Sequence, residues 1–136
     1  MSCRGIRGAI TVDANTPEAI DAATRTLLMR IVAVNDLETA DIASVIFTAT
    51  PDLDAVYPAA SARALGWTHV PLLCMQEMTV AKSLPRCIRV LIHWNTDQAP
   101  EAIQHVYLGA ARTLRPDLAD QATQNPALGS AKSPCE

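Results

Sequence analysis

From Arg4 to Val12 the chain alternates, with Arg4, Ile6, Gly8, Ile10 and Val12 on one face and Gly5, Arg7, Ala9 and Thr11 on the other. A period of two is that of a strand. The spacing then lengthens: Ile20, Ala23, Leu27, Ile31 and Val34 form the single apolar stripe of an amphipathic helix. Its start is written in Thr16-Pro17-Glu18. Thr16 caps the first turn, Pro17 fits it by its fixed φ, and Glu18 stands near the positive end of the helix dipole. The helix is predicted to end near Asn35.

A short turn at Thr39-Ala40-Asp41-Ile42 leads into Ala43 to Thr50, where Val45, Ile46, Phe47 and Thr48 favour a second strand. Thr50-Pro51-Asp52 breaks it. Pro58 to Leu65 reads as a short helix closed by Gly66, which tolerates the left-handed C-terminal cap. His69 to Cys74 reads as a third strand, and Pro71 places it at an edge or a bulge. After a loop over Val80 to Pro85, Arg86 to Trp94 is the clearest strand. There Cys87, Arg89, Leu91 and His93 face one way, and Ile88, Val90, Ile92 and Trp94 the other. Pro100 to Gln104 can start a helix, and His105 to Gly109 fits its continuation or, as we read it, a fifth strand. From Asp120 the composition turns to Gln, Asn, Pro, Gly, Ser and Lys, which predicts a disordered tail over 119–136 behind a single domain of 1–118.

The expected fold is α+β, a mixed sheet of about five strands with one long helix and short helices. One long helix covers one face of such a sheet, so the apolar residues on the other face need a second cover, and self-association supplies it most simply.

Composition narrows the function. At 136 residues and 49% apolar the chain can bury an ordinary core. A net charge of -3 and a pI near 5.5 argue against a nucleic-acid partner, whose backbone needs a basic face. No membrane-spanning run of about 20 apolar residues is present, and the N-terminal residues lack the apolar stretch of a secretion signal. A cytoplasmic location is expected. Among the basic residues only Lys82 and Lys132 are Lys, the rest being Arg, which suits bidentate recognition of carboxylates. Cys3, Cys74, Cys87 and Cys135 show no Cys-x-x-Cys spacing, so free thiols rather than a zinc site or disulfides are expected. The histidines His69, His93 and His105 have no metal-ligand spacing and read as structural.

Arg7, Arg63, Glu77, Arg89 and Arg115 stand in distinctive short contexts, with no serine, cysteine or histidine arranged as an activated nucleophile. Converging, they would hold an anion and stabilise charge without covalent chemistry. Arg4-Gly5-Ile6-Arg7-Gly8, Ala49-Thr50-Pro51-Asp52-Leu53, Val70-Pro71, Cys74-Met75-Gln76-Glu77-Met78, Cys87-Ile88-Arg89-Val90, His105-Val106-Tyr107-Leu108 and Leu114-Arg115-Pro116-Asp117-Leu118 appear in order. Together they resemble the AroH class of monofunctional chorismate mutases, from about Arg4 to Leu118.

The resemblance implies a homotrimer with a barrel-like core, clefts between neighbouring subunits as active sites, and rearrangement of chorismate to prephenate in the route to phenylalanine and tyrosine. No cofactor or metal is implied. Carried over by position, Arg89 would donate to the breaking ether oxygen, Arg7 and Tyr107 would bind the carboxylate of the enolpyruvyl arm, and Glu77 with Cys74 would meet the ring hydroxyl. Arg63 would stand at the cleft mouth, Tyr57, Ala59, Leu72, Leu73 and Leu114 would line the pocket, and Arg115 would belong to a closing segment. Two departures stand out: Ala60 where relatives often carry lysine, and Leu73 where they often carry threonine. The helix before Gly66-Trp67 also looks one residue short, which bears on Arg63.

Taken singly, these residues have plainer readings. Arg7 and Arg89 suit the polar face of half-exposed strands, Glu77 suits a surface pair with Lys82 or Arg86, Cys87 a buried thiol, and Tyr107 a core aromatic. A trimeric binder or sensor of chorismate or a related carboxylate without turnover is the alternative function, and a bland oligomeric scaffold a third. A pure anion binder needs guanidinium groups but no cation at an ether bond, so Arg89 with Glu77 favours the enzyme.

Overall fold

The computed structural model describes residues 1–117; the tail expected over 119–136 and the domain end expected at 118 lie outside the described residues. The elements are β1 (Ser2–Thr11), α1 (Pro17–Asn35), β2 (Ile42–Ala49), α2 (Ala59–Ala64), β3 (Leu72–Gln76), β4 (Cys87–Thr96) and β5 (Val106–Leu108), with short 3-10 turns at Thr39–Asp41, Pro100–Ala102 and Gly109–Thr113. The five strands form one sheet in the order β3-β2-β4-β1-β5. β4 runs antiparallel to both β1 and β2, whereas β5 is parallel to β1 and β3 parallel to β2, so the sheet is mixed as expected.

The helix α1 begins where the sequence places it. Thr16 is extended and its hydroxyl accepts the Ala19 N–H at 3.1 Å, with Pro17 in the first turn. Its buried face carries Ile20, Leu27, Leu28, Ile31 and Val34. These pack on Ile6 and Ile10 of β1, Val45 and Phe47 of β2, and Ile88, Val90 and Ile92 of β4 in one core. Gly8 lets the helix come this close, since a Cβ there would lie 2.8 Å from Ile31 Cδ1. The helix α2 is tied to α1 by Ser61, whose hydroxyl donates to Asp21 at 2.6 Å. No described helix is long and apolar enough to cross a membrane.

Of the boundaries that differ from the sequence reading, three have a clear backbone reason. The third strand starts at Leu72 rather than His69, because residues 68–70 turn and Pro71 can offer only its carbonyl, which accepts the Val45 N–H at 2.9 Å. The helix expected from Pro100 to Gln104 stops after one 3-10 turn. There the side chain of Asn35 takes both backbone groups of Gln104, at 2.9 Å each, which draws that segment into β5. At Arg86, expected inside a strand, φ is +46°, so β4 begins only at Cys87, opposite Thr11 of β1. The fifth strand forms but is shorter than read, Val106–Leu108, with Gly109 opening the next 3-10 turn.

The face of the sheet away from α1 carries Arg7 and Ala9 of β1, Arg89, Leu91 and His93 of β4, and Ser44, Ile46 and Thr48 of β2, as the cross-strand pairs require. Leu73 and Met75 of β3 continue it and are 52% and 48% exposed. Among the described residues no helix packs over this face.

Candidate active site

One end of that open face gathers charge. Arg89 pairs across the sheet with Ala9 on one side and Thr48 on the other, and neither neighbour is large. Glu77 follows the last residue of β3, and its backbone N–H donates to Ala49 O at 2.9 Å, which holds its side chain beside β2. Arg89 Nε and Glu77 Oε2 meet at 3.0 Å, and Thr48 donates its hydroxyl to the same Oε2 at 2.8 Å. The second carboxylate oxygen accepts the Met78 N–H at 3.2 Å. The pair is asymmetric in exposure, the arginine side chain 50% open and the glutamate 23%. The carboxylate is therefore the fixed member and the guanidinium the member offered outward.

Arg7, Glu77, Arg89 and Tyr107 line one cavity of about 280 Å³, with Gly8, Ile46, Thr48, Val90 and Leu91 as its remaining walls. Tyr107 reaches it from β5, which places Tyr107 opposite Ala9. Glu77 and Arg89 also border an adjoining cavity of about 620 Å³ that includes Cys87, Thr113 and Leu114. Such a set offers two guanidinium groups, a phenol and a carboxylate acceptor, with apolar walls between. That suits an anionic, partly apolar small molecule.

Other candidates lie elsewhere in the chain. Tyr57 and Cys74 border a third cavity of about 530 Å³ on the α2 side, with Leu53, Pro58 and Gln76. Leu72 and Cys74 point toward the helices and pack on the core, and Ala59 is buried at the start of α2. Burial raises the Cys74 thiol above its ordinary range, while the Ala59 backbone and the nearby Arg63 guanidinium pull it back. Tyr57, Ala59, Arg63 and Cys74 thus form one neighbourhood. Within one chain it faces away from Glu77, so Cys74 and Glu77 do not meet. Leu73 stands on the open face, opposite to Cys74. Arg115 pairs with Asp117 at 2.9 Å.

Burial pushes the Cys87 thiol up to about 11, with Arg89 opposing and Glu77 and Asp52 adding to the rise, so the thiol is protonated and inert at neutral pH. Its strand is held in place by Thr50, which accepts the Cys87 N–H at 3.0 Å, and by Asp52, which accepts the Arg86 N–H at 2.9 Å. Thr48, Thr50 and Asp52 were not among the residues the sequence singled out. The Ala49-Thr50-Pro51-Asp52-Leu53 motif was the site signal for Thr50 and Asp52, and Thr48 lay just outside it. His105, read as structural, has a backbone partner: its Nδ1 accepts the Arg7 N–H at 2.9 Å.

Comparison with known proteins points to one family. The family model for chorismate mutase type I matches residues 3–118. A chorismate mutase AroH of Thermus thermophilus is 53% identical over 85% of this chain and 95% of its own length. One from Bacillus subtilis is 47% identical over 87% and 94%. In structure, a chorismate mutase from Clostridium thermocellum aligns at a TM-score of 0.80 with 50% identity, over 81% of this chain and 98% of that one. A family model spanning most of the chain and relatives at about half identity leave one assignment: the chain belongs to the chorismate mutase type I family.

Proposed function

We propose that the protein is an enzyme of the isomerase class that converts chorismate to prephenate. The observation that carries this reading is the Arg89–Glu77 pair at 3.0 Å in a cavity shared with Arg7 and Tyr107. Chorismate is a dianion with a flexible enolpyruvyl arm. Its rearrangement breaks a carbon–oxygen bond while forming a carbon–carbon bond within one molecule, so no base or nucleophile is needed. The rate gain comes from holding the compact conformer and from a fixed cation where the ether oxygen gains charge.

In this reading Arg89 is the donor to that oxygen. Glu77 holds the guanidinium in one orientation and accepts from the ring hydroxyl, Arg7 and Tyr107 bind the arm's carboxylate, and Leu114 and Arg115 belong to a segment that closes over substrate. The reacting atoms need no metal or cofactor.

The working form is a homotrimer in which the neighbourhood of Tyr57, Ala59, Arg63, Leu72 and Cys74 on one subunit completes the cleft of the next, with Leu73 at the junction. Two features support assembly: the exposed Leu73 and Met75 on an uncovered sheet face, and the separation of Cys74 from Glu77 within one chain. The free thiols of Cys3, Cys74 and Cys87 suit a reducing, cytoplasmic setting, and the acidic balance suits neither nucleic acid nor an anionic membrane as partner.

The test is direct. Purified protein is added to chorismate and the ultraviolet absorbance of the diene is followed; the expected result is its enzyme-dependent loss with formation of prephenate, unaffected by chelator. Unchanged absorbance with chorismate still bound would establish the binder or sensor instead.

A further inference from the structure

Nothing in the proposed chemistry uses His105, yet its surroundings are built around it. The β1–β5 ladder begins at the Gly8–Val106 pair, which leaves the Arg7 N–H one step short of the strand. A side chain fills the gap: that N–H donates to His105 Nδ1 at 2.9 Å. The residue before the histidine is itself clamped. Asn35, the last residue of α1, accepts the Gln104 N–H and donates to Gln104 O, both at 2.9 Å, and also donates to Ile31 O at 3.0 Å. The end of α1 therefore fixes Gln104, His105 fixes Arg7, and β5 then sets Tyr107 opposite Ala9. Arg7 and Tyr107 line the same cavity.

We infer that His105 is a positioning residue for the reaction: by accepting the Arg7 backbone N–H it sets the height and direction at which Arg7 enters the cavity beside Tyr107. The inference rests on the role proposed above for that cavity. An imidazole accepts through Nδ1 only when that nitrogen is unprotonated, with the proton on Nε2. Burial first, then the Arg7 and Arg115 charges, lower His105 to about 4, which keeps the acceptor available throughout the neutral range. Without it the Arg7 N–H, at an exposed strand position, loses its fixed protein partner and the strand end is free to twist. A small displacement of a group that holds the reactive conformer is enough to slow the reaction.

The experiment compares His105→Leu, which keeps bulk but removes the acceptor, with His105→Asn, whose Oδ1 lies as many bonds from Cα as Nδ1 did. On chorismate, the leucine variant is expected to lose about tenfold in kcat/KM and the asparagine variant to recover most of it. In an Arg7→Lys background the leucine change should cost less than about twofold. Equal losses in both backgrounds would mean a general structural role and overturn the inference. Amide hydrogen exchange at Arg7 supplies a readout independent of turnover: slow in wild type and His105→Asn, fast in His105→Leu. An Arg7 amide still protected in the leucine variant also overturns it, whereas wild-type protein inert toward chorismate overturns the proposed function alone. Should the leucine variant not fold, His105→Gln, which moves the acceptor by one methylene, takes its place in the same cycle with the same two outcomes.

Discussion

Glu77 and Arg89 meet at 3.0 Å between Oε2 and Nε, and the same Oε2 accepts the Thr48 hydroxyl at 2.8 Å. One carboxylate oxygen thus joins the end of β3, the C-terminal end of β2 and the N-terminal part of β4. With the arginine half open to solvent, the pair contributes about 0–1 kcal/mol to stability. Its value is in orientation.

Arg89→Ala is therefore expected to separate activity from stability. Loss of a preorganised donor at a developing oxyanion lowers kcat by at least about 10²–10³-fold, while the melting temperature moves little. A large rise in KM with kcat retained would reassign Arg89 to ground-state binding. Steady-state kinetics and a melting curve on the same preparation decide.

Thr48→Val removes the hydroxyl from Glu77 Oε2 and leaves Arg89 as the only described side chain on that oxygen. The expected loss is about fivefold to tenfold in kcat/KM, the worth of one such hydrogen bond. Thr48→Ser should restore it. Equal activity of the valine and serine variants would show that Arg89 alone holds the carboxylate.

His105 makes stability depend on pH in a defined direction. Its folded value of about 4 lies below the ordinary 6.5, so between these the unfolded chain binds the proton that the folded chain refuses. The contribution is complete above about 6.5 and is lost as pH falls toward 4. Denaturant midpoints measured across this window should fall with pH in the wild type, and fall less steeply in His105→Asn.

Gly8→Ala tests the packing of α1 on the sheet. The added methyl would stand 2.8 Å from Ile31 Cδ1, 3.1 Å from Val90 Cγ1 and 3.2 Å from Leu27 Cδ1, three side chains of a filled core. Overpacking of this kind costs about 1–3 kcal/mol. Urea unfolding is the measurement, and an unchanged midpoint would mean that the helix slides without cost.

Leu73→Glu places a charge on the open face where Leu73 is half exposed. In the proposed trimer that position is covered, so the variant is expected to sediment as smaller species and to lose activity with dilution. A variant that sediments and turns over as the wild type does would remove this face from the interface.

Much of the layout was legible in local pattern. Thr16-Pro17-Glu18 and the stripe from Ile20 to Val34 give α1 with its N-cap, and the alternation in β1 and β4 assigns Ile6 and Ile92 to the core and Arg7 and Arg89 to the opposite face. Such features depend on neighbours a few residues apart, and periodicity records them. The motifs around Arg89 and Glu77 likewise pointed to one site. What the sequence could not determine is which distant groups complete one another. Asn35 satisfies Gln104 across 69 residues and His105 satisfies Arg7 across 98, and these bonds set up the short strand Val106–Leu108 within the ambiguous stretch at 105–109. Only the register of β3 on β2 sets Met75 opposite Thr48, and so brings Glu77, the residue after the strand, to the Thr48 hydroxyl. Hydrogen-bond partners so far apart in the chain leave no period in the residue pattern; the tertiary structure alone brings them to bonding distance.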